Sequence, residues 1–282
     1  MNEVERNKQV DKEILERVRL ARLRIEDPFA GVKIASGRYI VDNTPEPEWI
    51  ETGTCLDTLT NCSITKSSLV LLIGGTGAGK SVLATHLACK MSSTRKILYL
   101  SFENKVDMDA SRMRICEKQY PDCNLNNITY LNVVEEEIKS GFKWQFAYLL
   151  KLLEKEEYDA VFIDALQTSI DSIEQDKIHS EGNKMMRTLY KITVQQNIPF
   201  FVTWQGSRTA SIKKEEVTLN DTSGSFGSTR YSTEVIFLMR DKASKGKRIL
   251  KLLKTRGREG INWEEPYFAL EETGKFSVGI IE

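Results

Sequence analysis

Short apolar runs recur along the chain, and most are separated by stretches in which apolar residues return at three- and four-residue steps. The runs predict strands at Ser68–Gly74, Ile97–Phe102, Ile128–Val134, Ala160–Asp164, Ile198–Trp204, Glu234–Met239 and Ile249–Lys254. The stretches between them predict helices at Lys80–Met91, Asp107–Cys116, Phe146–Glu156 and Glu181–Gln196. This alternation indicates an α/β fold with a mainly parallel twisted sheet flanked by helices on both faces. The last two strands lack a long helix between them, which predicts a mixed or antiparallel edge.

The N-terminal segment has a pattern of its own. In residues 1–26 the apolar positions repeat with helical spacing and predict an amphipathic helix, which ends at Asp27-Pro28. These positions are Val10, Ile14, Val18, Ala21 and Ile25. The helix either packs on its own domain or docks on a neighbouring subunit, and the pattern fits both. Residues 28–66 are mostly irregular, so we divide the chain into an N-terminal helix and linker, 1–50, and an α/β domain, 51–282.

Composition is typical of a soluble globular protein. The 282 residues suit one large domain with an appendage, and apolar residues make up 40% of the chain. Forty basic residues balance forty acidic ones, so no overall basic field predicts a nucleic-acid partner, although a groove can still collect basic side chains locally. Five cysteines without a CxxC pair indicate reduced thiols and lack the spacing of a zinc site. No apolar run reaches the roughly twenty residues of a membrane span, and we expect a cytoplasmic protein.

The segment Gly74–Ser81 carries the most specific pattern in the chain. It follows G-x-x-x-x-G-K-[ST] and lies between a predicted strand and a predicted helix. Its glycines let backbone N–H groups surround phosphates, and the following helix presents the positive end of its dipole to them. Lys80 is expected to contact the β- and γ-phosphates, and the Ser81 hydroxyl to bind Mg²⁺. The nucleotide-binding residues predicted here are Gly75, Thr76, Gly77, Ala78, Gly79, Lys80, Ser81 and Val82.

Two acidic residues at strand ends fit the rest of such a site. The apolar run Ala160–Ile163 ends in Asp164, as in the strand that supplies a carboxylate to the Mg²⁺ of P-loop proteins. Glu103 directly follows another predicted strand, where it is well placed to orient or activate the attacking water. We therefore predict Ser81 and Asp164 as metal ligands and Glu103 as a catalytic base.

From Thr52 onward the motifs resemble the ATPase domain of the DnaB-type, RecA-fold replicative helicases. "TGTCLDTLT" is similar to the short signature that precedes the first strand of the family, and "ILYLSFENKVDMDASRM" to its catalytic-glutamate segment. "AVFIDALQ" resembles the metal-binding strand, and "NDTSGSFGSTRYSTEVIFLMRD" a later loop and strand. The resemblance covers about 220 residues with the motifs in the family's order, and it implies a RecA-like P-loop ATPase with ATP and Mg²⁺ as cofactors.

The same resemblance implies roles for three residues in later motifs. "VTWQGSR" resembles the strand whose glutamine senses the nucleotide state, here Gln205. "LLKTRGREG" resembles the strand with a lysine and an arginine finger, here Lys254 and Arg256. An arginine finger couples hydrolysis to movement between subunits when it acts across their boundary, and such a head-to-tail interface builds rings or filaments. The resemblance thus implies a homo-oligomer, expected to be a hexamer, with Lys80, Glu103, Gln205, Lys254 and Arg256 as its catalytic set.

A loop rich in Ser, Thr and Gly, Gly206–Ser228, is a candidate for contact with nucleic acid. In a ring of RecA-type domains such loops line the central channel. Basic side chains there would meet phosphates, and small residues would expose backbone N–H groups. The candidates are Arg208, Lys213, Lys214, Gly224 and Ser225, with the loop between Gln167 and Ser180 as a second possibility. Neither loop has interleaved aromatic residues, so we expect binding to the backbone of single-stranded DNA with little sequence preference.

Two departures from the family pattern narrow the expected function. Only about 50 residues precede the ATPase domain, so the helical collar domain that recruits primase is not expected, and Ala165 replaces the tyrosine that commonly follows the aspartate. The chain resembles a minimal motor such as phages or plasmids encode, with a loader or primase as a possible partner. The leading hypothesis is an ATP-dependent helicase or translocase on single-stranded DNA. A RecA-like recombinase filament and a nucleotide-gated assembly or regulatory ATPase are the alternatives.

Overall fold

The computed structural model describes residues 35–60, 64–140, 145–166, 175–206, 217–219, 226–240, 248–256 and 268–269. The helix predicted at 1–26 lies outside these ranges. The chain divides into two compact units, Met1–Glu46 and Pro47–Glu282. The described part of the first unit contains one short helix, α1 (Gly37–Asn43), which Ser36 caps by accepting a hydrogen bond from the Tyr39 backbone N–H. The predicted domain boundary near residue 50 stays a prediction.

The second unit alternates strands and helices over most of its described length. Its helices are α2 (Cys55–Leu59), α3 (Lys80–Met91), α4 (Val106–Gln119), α5 (Val133–Ser140), α6 (Phe146–Lys155), α7 (Gln175–Gln196) and α8 (Phe226–Tyr231), with a 3-10 turn at Leu125–Asn127. Its strands are β1 (Leu69–Gly74), β2 (Ile97–Ser101), β3 (Ile128–Asn132), β4 (Ala160–Asp164), β5 (Phe200–Gln205), β6 (Glu234–Arg240), β7 (Arg248–Lys254) and β8 (Phe268–Ala269).

The described strands form one sheet in the order β3-β2-β4-β5-β1-β6-β7-β8. The first six strands in this order run parallel, whereas β7 and β8 pair antiparallel at the edge. The predicted parallel sheet with an antiparallel edge is thus confirmed. Because β5 lies between β1 and β4, the carboxyl ends of these three strands meet at one edge, where ligands bind in open α/β sheets.

Helices cover both faces of the sheet, and the side chains of β1 show this directly. Leu69, Leu71 and Ile73 belong to one buried apolar cluster with residues of α6 and α7. Val70 and Leu72 point the other way, into a second cluster with residues of α2 and α3. All five side chains have no exposed surface. Burial on both faces explains why β1 reads as an unbroken apolar run rather than an alternating one.

Two sequence predictions need correction at the element boundaries. The strand predicted at Ile128–Val134 ends at Asn132, and Val133 begins α5 instead. Asn132 causes the change, because its Oδ1 accepts a hydrogen bond from the backbone N–H of Glu135 at 2.9 Å and caps the new helix. The region 28–66 also contains α1 and α2. Asp57 in α2 holds the turn before that helix by accepting hydrogen bonds from the backbone N–H groups of Thr52 and Gly53.

Two simpler findings complete the fold. None of the helices in the ranges described above is long and apolar enough to cross a membrane. The cysteines of those ranges, Cys55, Cys89, Cys116 and Cys123, are free thiols.

Candidate nucleotide site

The phosphate loop joins the carboxyl end of β1 to the first turn of α3. Gly77 and Gly79 adopt left-handed backbone conformations, with φ of 69° and 100°, which other residues rarely accept. A Cβ atom on Gly77 would lie 2.4 Å from Nη2 of Arg240, the last residue of β6. Arg240 also donates from Nε to the carbonyl oxygen of Gly77 at 2.9 Å. The loop is therefore a close-fitting backbone cradle of the kind that binds phosphate.

Lys80 is the first residue of α3 and reaches back over the phosphate loop. Its ammonium group donates to the carbonyl oxygens of Gly74 and Gly75 at 3.0 and 3.2 Å. Burial lowers the pKa of Lys80, while the nearby charges of Glu103 and Asp164 oppose that shift. Lys80, Glu103 and Asp164 therefore interact electrostatically, as the sequence prediction of a common site requires.

A cavity of about 400 Å³ opens beside the loop. Its walls bring together residues from the predicted nucleotide, metal and catalytic sets with residues that sequence reasoning did not select. The lining residues are Thr76, Gly77, Gly79, Lys80, Ser81, Val82, Glu103, Asn104, Arg112, Ala165, Gln205 and Arg248. Ala78, predicted to bind nucleotide, is buried beneath the loop, and its backbone N–H donates to the carbonyl oxygen of Gly75.

Asp164 is the most densely bonded side chain of the site. It ends β4, has no exposed surface, and accepts at Oδ1 from the Ser81 hydroxyl at 3.1 Å and the Thr203 hydroxyl at 2.6 Å. Its Oδ2 accepts from the Asn104 amide at 2.9 Å and the Tyr99 hydroxyl at 3.4 Å. Burial raises the pKa of the carboxyl group, and the hydrogen bonds from Thr203 and Ser81 oppose the shift. The donors come from α3, β5 and β2, so this carboxylate is fixed from several sides.

The pair Ser81 and Asp164 fits a small hard cation. Mg²⁺ prefers oxygen ligands and typically takes only one or two from the protein, with substrate phosphates and waters completing its shell. A hydroxyl and a carboxylate 3.1 Å apart at the mouth of a phosphate loop match that donor set. In the part of the chain that the structure describes, no group of three or more His, Cys, Asp or Glu side chains is arranged to hold a metal ion.

Glu103 and Gln205 lie on two sides of the cavity. Glu103 follows the end of β2, is exposed, and lines the same cavity as Lys80. Gln205 is the last residue of β5, and its amide Nε2 donates to the Thr76 hydroxyl at 2.9 Å. The structure therefore brings both predicted residues to the phosphate loop, and Gln205 touches the loop directly.

Lys254 and Arg256 lie elsewhere. In the β6–β7 hairpin, Arg240 pairs with Arg248 at the end near the phosphate loop, whereas Lys254 pairs with Val235 at the opposite end. Because β7 has 7 residues, its two ends are about 20 Å apart at the usual rise per residue. The finger pair is thus outside the cavity formed by its own chain.

The two finger side chains bind the carboxyl end of α8. The Lys254 ammonium donates to the carbonyl oxygens of Thr229 and Ser232 at 2.6 and 2.7 Å, and Arg256 donates to that of Arg230 at 2.6 Å. Cations at this end of a helix satisfy its unpaired carbonyl groups. Burial, followed by the charge of Arg256, lowers the pKa of Lys254 to about 8.

Sequence reasoning missed three arginines near the cavity. Arg112 and Arg248 line it, and Arg240 braces the phosphate loop. Arg240 falls within a segment that resembles the helicase family, but its spacing in sequence does not connect it with Gly77. Arg248 has no local signal, because only the pairing of β6 with β7 carries it to this edge.

The predicted nucleic-acid contacts fall outside the described residues. This holds for Arg208, Lys213, Lys214, Gly224 and Ser225, and for Gln167 with the residues directly after it. Of the loop Gly206–Ser228, the structure describes Gly206 and residues 217–219, and it shows α8 beginning at Phe226. These assignments stay predictions.

The sequence is similar to a known protein family and to a curated protein. A family model described as "AAA domain" matches residues 43–207. The DNA repair protein RadA of Aquifex aeolicus (strain VF5) is 26% identical over 171 residues, which cover 57% of this chain and 34% of RadA. The chain thus spans about a third of the length of that curated relative.

Two solved structures share the fold, each with 16% sequence identity. The KaiC-like protein PH0186 from Pyrococcus horikoshii OT3 matches with a TM-score of 0.54 over 74% of this chain and 89% of its own. The second structure, an ATPase domain, matches with a TM-score of 0.59 over 85% of this chain and 95% of its own. Both likenesses support the RecA-like fold predicted from the motifs.

Proposed function

The chain belongs to the AAA domain family, and we propose that it is an ATP-driven motor that moves along single-stranded DNA as a ring of identical subunits. Its family and its phosphate loop make it an ATP hydrolase of the RecA-like fold. The motor function rests on one observation above the others. Lys254 and Arg256 lie at the end of β7 away from the phosphate loop, and although they bind carbonyl oxygens at the end of α8 in the single chain, we assign them to the nucleotide site of a neighbouring subunit.

We assign the phosphates and the metal ion to different residues around the cavity. Lys80 binds the β- and γ-phosphates, and the backbone N–H groups between Gly75 and Gly79 surround them. Ser81 and Asp164 would hold Mg²⁺, which would supply Lewis-acid chemistry by drawing electron density from the phosphate oxygens. The hydrogen bonds from Thr203 and Asn104 keep the Asp164 carboxylate in place. These roles account for the polar side chains that lie at the carboxyl ends of otherwise apolar strands.

Hydrolysis is assigned to Glu103, and its detection to Gln205. Glu103 lines the cavity from the β2 side, where it orients the attacking water and accepts its proton. Gln205 already contacts the phosphate loop through Thr76. A change in that contact on hydrolysis would pass directly to the predicted DNA loop, because that loop begins at the next residue, Gly206.

The sheet topology supports action of the finger pair on a neighbour. Lys254 is about 20 Å from the end of β7 that faces its own cavity, which is farther than a lysine side chain reaches. Arg256 and Lys254 therefore complete the site of an adjacent subunit, where they neutralise charge on the γ-phosphate. Since such a contact uses two different surfaces, repetition closes a ring or extends a filament. We assign the ring, as a hexamer, on the family resemblance.

Single-stranded DNA is assigned as the track. The relative RadA is a DNA repair protein, which supports a DNA partner, and the basic residues Arg208, Lys213 and Lys214 lie in the loop that links β5 to α8. In a ring this loop would face the channel, with Gly224 and Ser225 offering backbone donors. Under this proposal a primase or loader protein is a further candidate partner. The proposed location is the cytoplasm.

Two other functions have some support from the comparisons. The similarity of this chain to RadA and to the KaiC-like protein also fits a recombinase filament or a nucleotide-gated regulatory ATPase. In both alternatives the nucleotide site described here is unchanged. The alternatives differ in whether subunits move along DNA. They are therefore distinguished by the oligomeric state of the protein and by the effect of DNA on its ATPase activity.

The proposal is tested by steady-state ATPase activity with and without a single-stranded oligonucleotide, with mass measured on the same samples. We expect stimulation of about tenfold or more and a closed oligomer near six subunits. Stimulation on open filaments of indefinite mass would favour the recombinase. An unchanged rate would contradict the motor and favour the regulatory ATPase.

A further inference from the structure

Arg112 of α4 is a cavity residue that the assignments above leave without a role. It lines the cavity together with Lys80, Glu103 and Asn104. Burial raises the pKa of Asp164, and the charge of Arg112 is among the effects that oppose this shift. We propose that Arg112 is a second catalytic arginine, supplied by the same chain that binds the nucleotide, and that Asp109 is the residue that positions it. The proposal depends only on ATP hydrolysis at this site and not on the ring or on DNA.

Asp109 and Arg112 form an ion pair between the cavity and the protein interior. Nη1 of Arg112 lies 2.7 Å from Oδ1 of Asp109, one turn earlier on α4. The Asp109 side chain is 1% exposed and that of Arg112 is 20% exposed. The carboxylate is thus on the inner side, and the guanidinium bridges from it to the cavity wall.

Two hydroxyl groups fix the Asp109 carboxylate from neighbouring strands. Its Oδ2 accepts from the Ser101 hydroxyl of β2 at 2.7 Å and from the Tyr130 hydroxyl of β3 at 3.0 Å. With the bond from Arg112 the carboxylate has three donors, which compensate much of the cost of burying it. Because Ser101 and Tyr130 belong to the sheet, the position of Arg112 is set relative to the strand ends that carry the predicted catalytic residues.

The same hydrogen-bond network reaches the residue next to Glu103. The Asn132 amide donates to the Tyr130 hydroxyl at 3.1 Å and to the backbone carbonyl oxygen of Asn104 at 2.7 Å. Asn104 in turn donates to Asp164 at 2.9 Å. The segment carrying Glu103 and the guanidinium of Arg112 are therefore held by one connected set of groups.

Arg112 keeps most of its donors for a ligand. A guanidinium carries five N–H donors, and among the described residues Asp109 accepts the one hydrogen bond assigned to Arg112. The remaining donors are free to bind phosphate oxygens in the two-pronged geometry that arginine favours. A buried ion pair contributes little to stability by itself, so the arrangement is better explained by the placement of a cation at the cavity.

A cation is needed at this position because negative charges lie beside it. Glu103 and Asp164 put two carboxylates near Lys80, and negative charge on the transferring phosphoryl group adds to them. Arg112 donates to a γ-phosphate oxygen on the Glu103 side and stabilises that charge in the transition state. The finger pair of a neighbour would act separately, from outside the chain.

The test compares Arg112→Gln and Arg112→Lys with Arg114→Gln in the full-length chain. Arg114 is exposed on the same helix, and its substitution makes an equal change in net charge. We measure kcat and KM for ATP both without and with single-stranded DNA, and equilibrium binding of a fluorescent ADP analogue. Arg112→Gln should lower kcat about 100-fold with ADP affinity within about threefold, because the contact is made to the γ-phosphate. Arg112→Lys should recover part of the loss, and Arg114→Gln should leave kcat unchanged.

Asp109→Asn separates positioning from simple structural support. We expect kcat to fall about tenfold with little change in KM, since Asn keeps the shape but loses the charge that holds Arg112. The thermal midpoint should fall as well, because the amide NH₂ group cannot accept the hydrogen bonds that the buried carboxylate accepts. If that variant does not fold, the Arg112 pair still decides the matter. A kcat for Arg112→Gln within twofold of the wild type, or an equal loss in Arg114→Gln, would overturn the proposal. Activity that persists in Lys80→Ala would instead show that the hydrolysis measured does not come from this site.

Discussion

At the scale of single residues, Asp164 illustrates how position in the sequence becomes chemistry. Its place at the end of an apolar run predicts a metal ligand, but its hydrogen-bond partners Ser81, Thr203 and Asn104 come from distant parts of the chain. The carboxylate is fully buried, and burial alone would favour its neutral form. Hydroxyl and amide donors oppose this effect, and they hold both oxygens in a defined orientation at the phosphate loop.

Glu103→Gln separates nucleotide binding from hydrolysis. The amide has the same shape but cannot accept a proton from water, so we expect ATP turnover to fall by about 100-fold or more with ATP still bound. Parallel measurements of ATP affinity and steady-state turnover check this. The variant should accumulate in a nucleotide-loaded state, and turnover within a few-fold of the wild type would reject Glu103 as the base.

Gly77→Ala tests the cradle. The residue has φ of 69°, and the added Cβ would lie 2.4 Å from Nη2 of Arg240, so both the backbone and Arg240 must shift. We expect a loss of about 1–2 kcal/mol in the free energy of unfolding and about tenfold weaker nucleotide binding. Denaturant titration and equilibrium binding measure the two effects.

Gly37→Ala is the matched control for this substitution. A Cβ there meets nothing within 4 Å, and Gly37 begins α1, where alanine is a better helix former. Equal nucleotide affinity in Gly77→Ala and Gly37→Ala would contradict the cradle.

At the scale of elements, the β6–β7 hairpin connects two functional ends. One end carries Arg240 and Arg248 beside the phosphate loop, and the other carries Glu234 and Lys254. Glu234 is 1% exposed, and among the described residues its Oε1 has no hydrogen-bond partner, while Oε2 accepts from Thr233. A buried carboxyl group in this position faces two cations, Lys254 and Arg256.

Glu234 should make stability depend on pH. Burial raises its pKa from 4.5 to about 7, against the hydrogen bond from Thr233 and the charges of Lys254 and Arg256. Since the folded state holds this proton more tightly, the stabilisation is fully present below pH 4.5 and lost as pH rises through about 7. The linked change in the free energy of unfolding is about 3 kcal/mol.

Glu234→Gln is expected to remove this part of the pH dependence, because glutamine does not titrate. Urea unfolding at several pH values between about 5 and 8 measures the slope. Glu154→Gln, an exposed site with the same change in charge, should keep the wild-type slope. Parallel pH profiles for wild type and Glu234→Gln would show that Glu234 is not the titrating group.

At the scale of the whole molecule, the topology divides the catalytic set between two edges of the sheet. The nucleotide residues meet where β1, β4 and β5 end, and the finger pair lies at the other end of β7. Under the proposed function, one subunit presents the nucleotide site at one end of these strands and the finger pair at the other. A complete site then requires at least two subunits, which favours head-to-tail assembly.

Subunit mixing tests this division. Lys80→Ala removes the phosphate contact and Arg256→Ala the finger, so we expect each variant alone to turn over ATP poorly. Arg256→Ala should still bind ATP. In a 1:1 mixture about a quarter of the interfaces combine an intact loop with an intact finger, and turnover should recover accordingly after subunit exchange.

The mixing experiment also has a clear contrary result. If the mixture has only the mean activity of the two variants, Lys254 and Arg256 do not act across the interface. A control mixture of Lys80→Ala with a second loop variant, Ser81→Ala, should not recover, because neither subunit supplies an intact loop.

The sequence by itself determined the fold class and the phosphate loop. Apolar runs such as Leu69–Ile73 are local signals of buried strands, and the loop pattern depends on backbone geometry within a few residues, so both can be read without a structure. The predicted strand ends also indicated Glu103 and Asp164 as site residues, since a polar residue at the end of a buried strand reaches the edge of the sheet where ligands bind. The helix boundary at Asn132 was missed, because a cap depends on one side-chain hydrogen bond.

Only the tertiary structure decided which distant residues meet. Pairing of β6 with β7 brings Arg240 and Arg248 to the phosphate loop and takes Lys254 away from it, although all three lie within one short stretch of sequence. Packing of α4 on β2 and β3 turns Asp109 and Arg112 from ordinary helix residues into a buried pair at the cavity. The physical reason is that strand order and helix packing arise from burial of the whole apolar surface, which no local pattern specifies.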